Sequence, residues 1–167
     1  MRTTIRDATL ADLPAVFAIY NEEVLHGTAT FDTVQREPGR DDAWLTDRHP
    51  ARHPVLVADA GGDVAGWASL SQWSDRRGYD RTAESSVYVH SAHRSQGIGR
   101  ALLLALVERA KGAGLGVLVA RIADARQASV ALHESVGFAR FGTQRRCGEK
   151  FGRLLDVELM DLHLDGN

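Results

Sequence analysis

Ser86-Val87-Tyr88-Val89-His90, followed closely by Arg94-Ser95-Gln96-Gly97-Ile98-Gly99-Arg100-Ala101-Leu102, decides how the rest of the chain is read. The first five residues carry β-branched and aromatic side chains and spell a strand. Beyond them Ile98, Ala101, Leu102, Ala105 and Leu106 recur at helical spacing, so a glycine-bearing loop joins a strand to a helix. The first turn of a helix has unpaired N–H groups and the positive end of the dipole, and glycines let an anion approach the backbone. The junction is therefore a candidate phosphate cradle, with a plain tight turn as the alternative.

Two rival phosphate motifs fail on inspection. A P-loop needs Gly-x-x-x-x-Gly-Lys-Ser/Thr, and no such run occurs. A dinucleotide fingerprint starting at Gly97-Ile98-Gly99 would place its third glycine on Leu102, and no acid ends a strand about 20 residues on.

The chain of 167 residues suits one domain, 1–167, with room for a core that needs no disulfide or metal. Lys plus Arg number 20 and Asp plus Glu 22, a net charge of −2, and no basic run argues for nucleic acid. The single cysteine, Cys147, has no internal partner, which agrees with a reducing compartment. No stretch of about 18 apolar residues suggests a membrane span, and Met1 to Asp7 has no apolar signal core. A cytoplasmic protein is the expectation.

Thr4 to Ala8 predicts a first strand, and Thr9-Leu10-Ala11-Asp12 has the spacing of a capping box before a helix lined by Leu13, Val16, Phe17, Tyr20 and Val24. Pro14 falls in or next to its first turn and Gly27 closes it. Thr28 to Thr33 reads as a loop whose Phe31 either anchors in the core or faces a ligand, the residue type favouring the core. Asp41 to Arg48 predicts a short helix that stops before His49-Pro50. Residues 54–59 and 64–70 predict a hairpin joined by Gly61-Gly62-Asp63. An arginine-rich polar segment, Trp73 to Thr82, leads to the central strand. The helix over 97–111 ends at Gly112 and Gly114, and Leu115 to Ile122 is a second buried strand. Ala128, Ala131, Leu132 and Ser135 mark a further helix, ended by Gly137-Phe138, and strands over 138–146 and 154–164 finish the chain. The order βααβββαβαββ is mixed α/β, and its central crossover requires a parallel pair.

Arg94-x-x-Gly97-x-Gly99 resembles the Gln/Arg-x-x-Gly-x-Gly/Ala signature of the GCN5-related N-acetyltransferases, the GNAT superfamily, and the likeness covers nearly the whole chain. Within it the chain looks most like the phosphinothricin and methionine sulfoximine acetyltransferase branch. The landmarks are Tyr20-Asn21, Thr28-Ala29-Thr30-Phe31, Tyr79 to Val89, Leu132-His133-Glu134 before Gly137-Phe138, and Lys150 to Asp156. The resemblance implies a central mixed, twisted sheet of about seven strands flanked by about four helices, acetyl-CoA as acyl donor, a small amino-acid acceptor and a homodimer.

Acyl transfer to an amine needs a held thioester, a polarised carbonyl, an unprotonated amine and a proton for the leaving thiolate. By resemblance, Arg94, Ser95, Gln96, Gly97, Ile98, Gly99 and Arg100 would hold the coenzyme pyrophosphate, and the main chain of Val87, Tyr88 and Val89 the pantetheine arm and thioester. Arg126 stands where the family usually has Asn in contact with the coenzyme, and Ser135 is a further expected contact. Glu84 is the candidate general base, although a Glu at a strand's start is commonly a solvated edge residue. Arg76, Arg77 and Tyr79, with Phe31, are expected around the acceptor, since a guanidinium can pair bidentately with a carboxylate or phosphinate. Paired arginines that merely solvate a loop are the alternative. His133 stands where many members place a tyrosine that protonates the thiolate, although a lone helical His is commonly a packing residue. No cluster has metal-ligand spacing, since Pro50 separates His49 from His53, and no metal is expected.

These residues together imply transfer of acetyl to the α-amine of a small anionic amino acid of the phosphinothricin, methionine sulfoximine or methionine sulfone type. Acetylation of a peptide N-terminus or another small amine, and a silent acyl-CoA-binding sensor, are the rival readings.

Overall fold

The computed structural model describes residues 3–165. Seven strands form one sheet: β1 (Thr4–Asp7), β2 (Val55–Asp59), β3 (Val64–Gln72), β4 (Thr82–Val89), β5 (Val117–Ala123), β6 (Ala139–Lys150) and β7 (Arg153–His163). Their spatial order is β1-β2-β3-β4-β5-β7-β6, and every neighbouring pair is antiparallel except β4 with β5. Four helices cover it: α1 (Leu13–His26), the single turn α2 (Ala43–Thr46), α3 (Ile98–Gly112) and α4 (Gln127–Glu134). This is the expected mixed sheet with its parallel pair at the centre.

Local chemistry sets the entry to α1. The amide and hydroxyl of Thr9 both donate to Asp12 Oδ2, at 2.8 and 2.9 Å, and Arg6 grips both oxygens of the same carboxylate at 2.8 Å. A 3₁₀ turn, Leu10–Asp12, precedes the helix, and Pro14 sits in the first helical turn, where its missing N–H costs nothing. The side chains of Leu13, Val16, Phe17, Tyr20 and Val24 then bury against Val57 and Trp67 on one face of the sheet. On the opposite face α3 buries Leu102, Leu103, Leu106 and Ala110 against Leu70, Leu118 and Met160.

The parallel pair is brief. β4 and β5 register only through Thr82↔Val117, Ala83↔Leu118 and Glu84↔Val119, whereas β4 stays paired with β3 up to Val89 and β5 with β7 up to Ala123. Past Glu84 the two central strands part, and the sheet opens into a wedge.

Four expected elements are corrected. β4 begins at Thr82, because Ala83 and Ser85 are small enough to bury on the α3 side while Thr82 and Glu84 take the other face, so Glu84 lies inside the strand. The helix expected over 41–48 is one turn, since Asp41 and Asp42 spend their carboxylates on the turn amides of Glu37 and Gly39. α4 buries Val130 and His133, leaving Ala128, Ala131 and Ser135 exposed. β6 runs four residues past 146, because a bulge with Arg146 at φ 51°, its amide bonded to Asp156 Oδ1 at 2.7 Å, lets pairing resume.

Candidate active site

A cleft of about 410 Å³ fills the wedge between β4 and β5 and runs to the N-terminus of α3 and the flank of α4. At its mouth Gly97 caps α3 with φ 79°, a left-handed conformation that a side chain would strain, and no atom lies within 4 Å of where its Cβ would be. Gly99 is held for a different reason. A Cβ there would come 3.0 Å from Leu132 Cδ2, so this glycine lets α3 and α4 pack closely. Unpaired first-turn N–H groups, open space at Gly97 and the guanidinium groups of Arg94 and Arg100 make this end of the cleft fit a pyrophosphate. The edge of β4 that β5 leaves unpaired fits an extended amide-bearing arm.

Of the residues expected to hold the coenzyme, Val87, Tyr88, Val89, Arg94, Ser95, Gly97, Ile98, Gly99, Arg100 and Arg126 line the cleft. Two do not. The Gln96 side chain turns back to the Ala92 carbonyl at 3.2 Å, and the exposed Ser135 hydroxyl donates to the Leu132 carbonyl at 2.7 Å. Ser95, in the place of a frequent family glycine, accepts φ 61°.

Arg94 and Arg126 share a buried partner. The Glu23 carboxylate, near the C-terminus of α1, takes Arg94 on Oε1 at 3.0 Å and Arg126 on Oε2 at 2.9 Å. Lys150, itself buried, donates to the Glu23 and Thr30 carbonyl oxygens at 2.7 and 2.9 Å and ties the end of α1 and the loop after it to β6. This one knot joins both coenzyme-side arginines to the segment that leads toward the acceptor.

His133 lies in the cleft wall, 3% exposed, edge-on to the Phe138 ring. Its Nδ1 is 2.7 Å from the Ser129 carbonyl oxygen, which only accepts, so the neutral ring carries its proton on Nδ1. Nε2 is buried without a partner, and burial pushes the imidazole pKa below its ordinary value. The neutral ring therefore presents a lone pair on Nε2, and its one N–H is already engaged.

Glu84 faces the α1 side of the sheet together with Ser86 and Tyr88. Both of its oxygens are held by Arg121 of β5, at 2.8 Å from Nε and 2.7 Å from the terminal nitrogen. That bidentate bond raises the guanidinium pKa further. The residues expected around the acceptor are not gathered in the cleft. Arg76, Arg77 and Tyr79 form an exposed 3₁₀ turn beyond it, and Phe31 is half-buried over Gly148 of β6, where a Cβ would strike its ring at 2.2 Å.

Glu23, Arg121 and Lys150 are the site residues that pattern reading passed over. Arg121 is a charge inside an apolar run and Lys150 opens one of the landmark stretches, whereas the partners of Glu23 lie 71 and 103 residues away. Among the described residues no group of His, Cys, Asp and Glu is placed to hold a metal, and no helix is long and apolar enough to cross a membrane.

Residues 13–138 match the model of the acetyltransferase (GNAT) family, a span that includes the wedge, the α3 cradle and α4. The chain belongs to this family. Over 166 residues it is 43% identical to an L-methionine sulfoximine/L-methionine sulfone acetyltransferase of Pseudomonas aeruginosa, covering 99% of this chain and 96% of that one. It is 37% identical to a phosphinothricin N-acetyltransferase of Alcaligenes faecalis, covering 97% and 83%. Among solved structures, yncA of Salmonella typhimurium with its cofactor acetyl-CoA superposes with a TM-score of 0.95 at 40% identity, covering 100% and 96%. A structure of a ribosomal-protein-alanine N-acetyltransferase from Brucella melitensis gives 0.92 at 42% identity, covering 96% and 99%. Acetyl-CoA is the acyl donor of this family, and it is the cofactor bound in the Salmonella structure.

Proposed function

We propose that this GNAT acetyltransferase moves the acetyl group of acetyl-CoA to the α-amine of a small anionic amino acid of the methionine sulfoximine, methionine sulfone or phosphinothricin type. The observation that carries this reading is a cleft between β4 and β5, lined by Arg94, Gly97 and Arg126, that opens just past the Glu84 carboxylate, which lies next to the lining residue Ser85. The names of the relatives supply the acceptor class.

In this reading the β4 edge aligns the thioester and its N–H groups stabilise the oxyanion of the tetrahedral intermediate. Glu84 takes a proton from the acceptor ammonium, directly or through water, and the free amine attacks the thioester carbon. The C–S bond then breaks, and the second proton on the new amide nitrogen passes to the departing thiolate. Arg76 and Arg77 reach the distal phosphinate, sulfone or sulfoximine oxygens of the acceptor from their exposed turn when it enters, with Tyr79 and Phe31 around it. Gln96 and Ser135 contribute to coenzyme binding only through movement or backbone.

The working form is a single-domain cytoplasmic homodimer. The family resemblance supports the dimer, as do Phe141, Phe151 and Leu154, each half or more exposed on the outer hairpin β6–β7.

The test is thiol release across free amino acids and peptides, with a pH profile of kcat/KM for wild type and Glu84→Gln. Glu84→Gln should lower kcat about a hundredfold, leave acetyl-CoA affinity unchanged, and recover partly as pH rises and free amine accumulates. A superimposable profile would remove Glu84 as the base. Turnover of peptides with none of free amino acids would favour the peptide-N-terminus reading, for which the ribosomal-protein-alanine N-acetyltransferase structure is the motivation.

A further inference from the structure

The Glu84–Arg121 pair stands at the point where β4 and β5 part, and Arg121 has no part in the reaction described above. Neither Glu84 oxygen is free, since the guanidinium binds both as a fork. The two partners differ in freedom: the Glu84 side chain is 18% exposed and that of Arg121 is 52% exposed. β4 and β5 last pair at Glu84↔Val119, and Arg121 is the next residue of β5 on the same face, so it stands where the wedge begins to open. Its guanidinium also lies 5.8 Å from the ring of Trp73, at the head of the loop that carries Arg76 and Arg77.

A closed carboxylate–guanidinium pair discriminates by charge pattern. A simple amine, arriving as a monocation, would displace Arg121 from Glu84 and leave the guanidinium without an anion. A zwitterionic α-amino acid brings both replacements one carbon apart. Its ammonium takes the place of Arg121 on Glu84, its carboxylate takes the place of Glu84 on Arg121, and no charge is left unpaired. A planar fork on a half-exposed stem suits that exchange.

We propose that Arg121 is the receptor for the acceptor's α-carboxylate, swinging from Glu84 as the zwitterion inserts, and thereby selects free α-amino acids over amines and peptide N-termini. This rests on the amino-acid reading of the site and on Glu84 meeting the ammonium. It assigns the α-carboxylate to β5, leaving the distal sulfone, sulfoximine or phosphinate oxygens to Arg76 and Arg77.

The experiment compares methionine sulfone with its α-carboxamide, which keeps size and amine but loses the negative charge, for wild type, Arg121→Gln and Arg121→Lys. Arg121→Gln should lower kcat/KM for the free acid about thirtyfold, mainly through KM, while changing the carboxamide by less than about threefold. Arg121→Lys should restore part of the loss, and acetyl-CoA affinity should stay the same in both variants. Equal losses on both acceptors would overturn the inference and make Arg121 a mere support for Glu84. A wild-type enzyme that acetylates the carboxamide but not the acid would instead overturn the amino-acid reading itself.

Discussion

The Glu23 carboxylate occupies the space that a side chain at residue 27 would need: a Cβ on Gly27 would lie 1.8 Å from Glu23 Oε2. Gly27 ends α1 at φ −112°, a conformation open to any residue, so the requirement for glycine here is steric. Its missing side chain lets a buried carboxylate fold back beneath the helix terminus and hold Arg94 and Arg126 at once. Gly27→Ala should therefore evict Glu23 from that position, costing about 1–3 kcal/mol as overpacking and freeing both arginines. A lower melting temperature together with a several-fold weaker acetyl-CoA affinity in titration calorimetry is the expected result. Loss of stability with unchanged affinity would show that the knot braces the fold and does not aim the arginines.

The two glycines of the cradle should separate in the same two measurements. Gly97→Ala meets open space but must hold φ 79°, so it should weaken acetyl-CoA binding with a stability cost of about 1 kcal/mol. Gly99→Val pushes a branched side chain into Leu132 and should lower the melting temperature more, by forcing α4 away from α3. If Gly99→Val keeps full stability and loses only coenzyme affinity, its role is phosphate approach after all.

Acid should weaken the fold at a named place. The hydrogen bonds from Arg6 are the largest influence holding Asp12, ordinarily at 3.8, down to about 2. A carboxyl with a depressed folded pKa contributes stability that is fully present above its unfolded pKa and lost as pH falls through the folded one. The window is thus about pH 4 to 2, and the contribution at most about 2 kcal/mol, reduced by solvent around the half-exposed Arg6. Asp12→Asn should be less stable than wild type at pH 7 by that amount and should converge with it near pH 2 in denaturant titrations. A constant gap across the range would mean that Asp12 acts through packing alone.

Short-range signals and long-range ones fared differently in the sequence. The capping box at Thr9–Asp12, the glycine before Ile98 and the hairpin turn at Gly61-Gly62-Asp63 depend on neighbours within a few residues, and each element begins or turns there. The sequence pattern points to the wrong face of α4 because Ala128, Ala131 and Leu132 outnumber its buried pair, Val130 and His133, in an eight-residue helix. The sequence places Glu84 before its strand because a half-polar run such as Thr82-Ala83-Glu84-Ser85 lacks β-branched weight at alternate positions. Its tie to Arg121 spans 37 residues, and that of Glu23 to Arg126 spans 103, distances at which no local pattern speaks. The central strand and the glycine loop before α3 are therefore legible, while the charges packed beside them emerge only from the fold.

The departing thiolate needs a proton. The resemblance gives that proton to His133, but the ring's only N–H in its neutral form is bonded to the Ser129 carbonyl, and burial lowers its pKa. A lowered pKa means that the cationic form, the one able to donate from Nε2, is populated only below about pH 6.5. An enzyme relying on that form would lose kcat as pH rises through that lowered pKa, on the acid side of the ordinary imidazole range. We expect no such decline. His133→Asn, whose side-chain amide can supply the donor to Ser129, should keep kcat within about threefold, whereas a lost general acid costs about a hundredfold or more. Stability supplies an independent check of the same pKa. The unfolded chain binds the His133 proton more readily than the fold does, so wild type should lose stability as pH falls below about 6.5, and His133→Asn should lose less. If kcat instead declines with rising pH in wild type, and that limb vanishes in His133→Asn, His133 is the acid and the Ser129 bond must break during turnover.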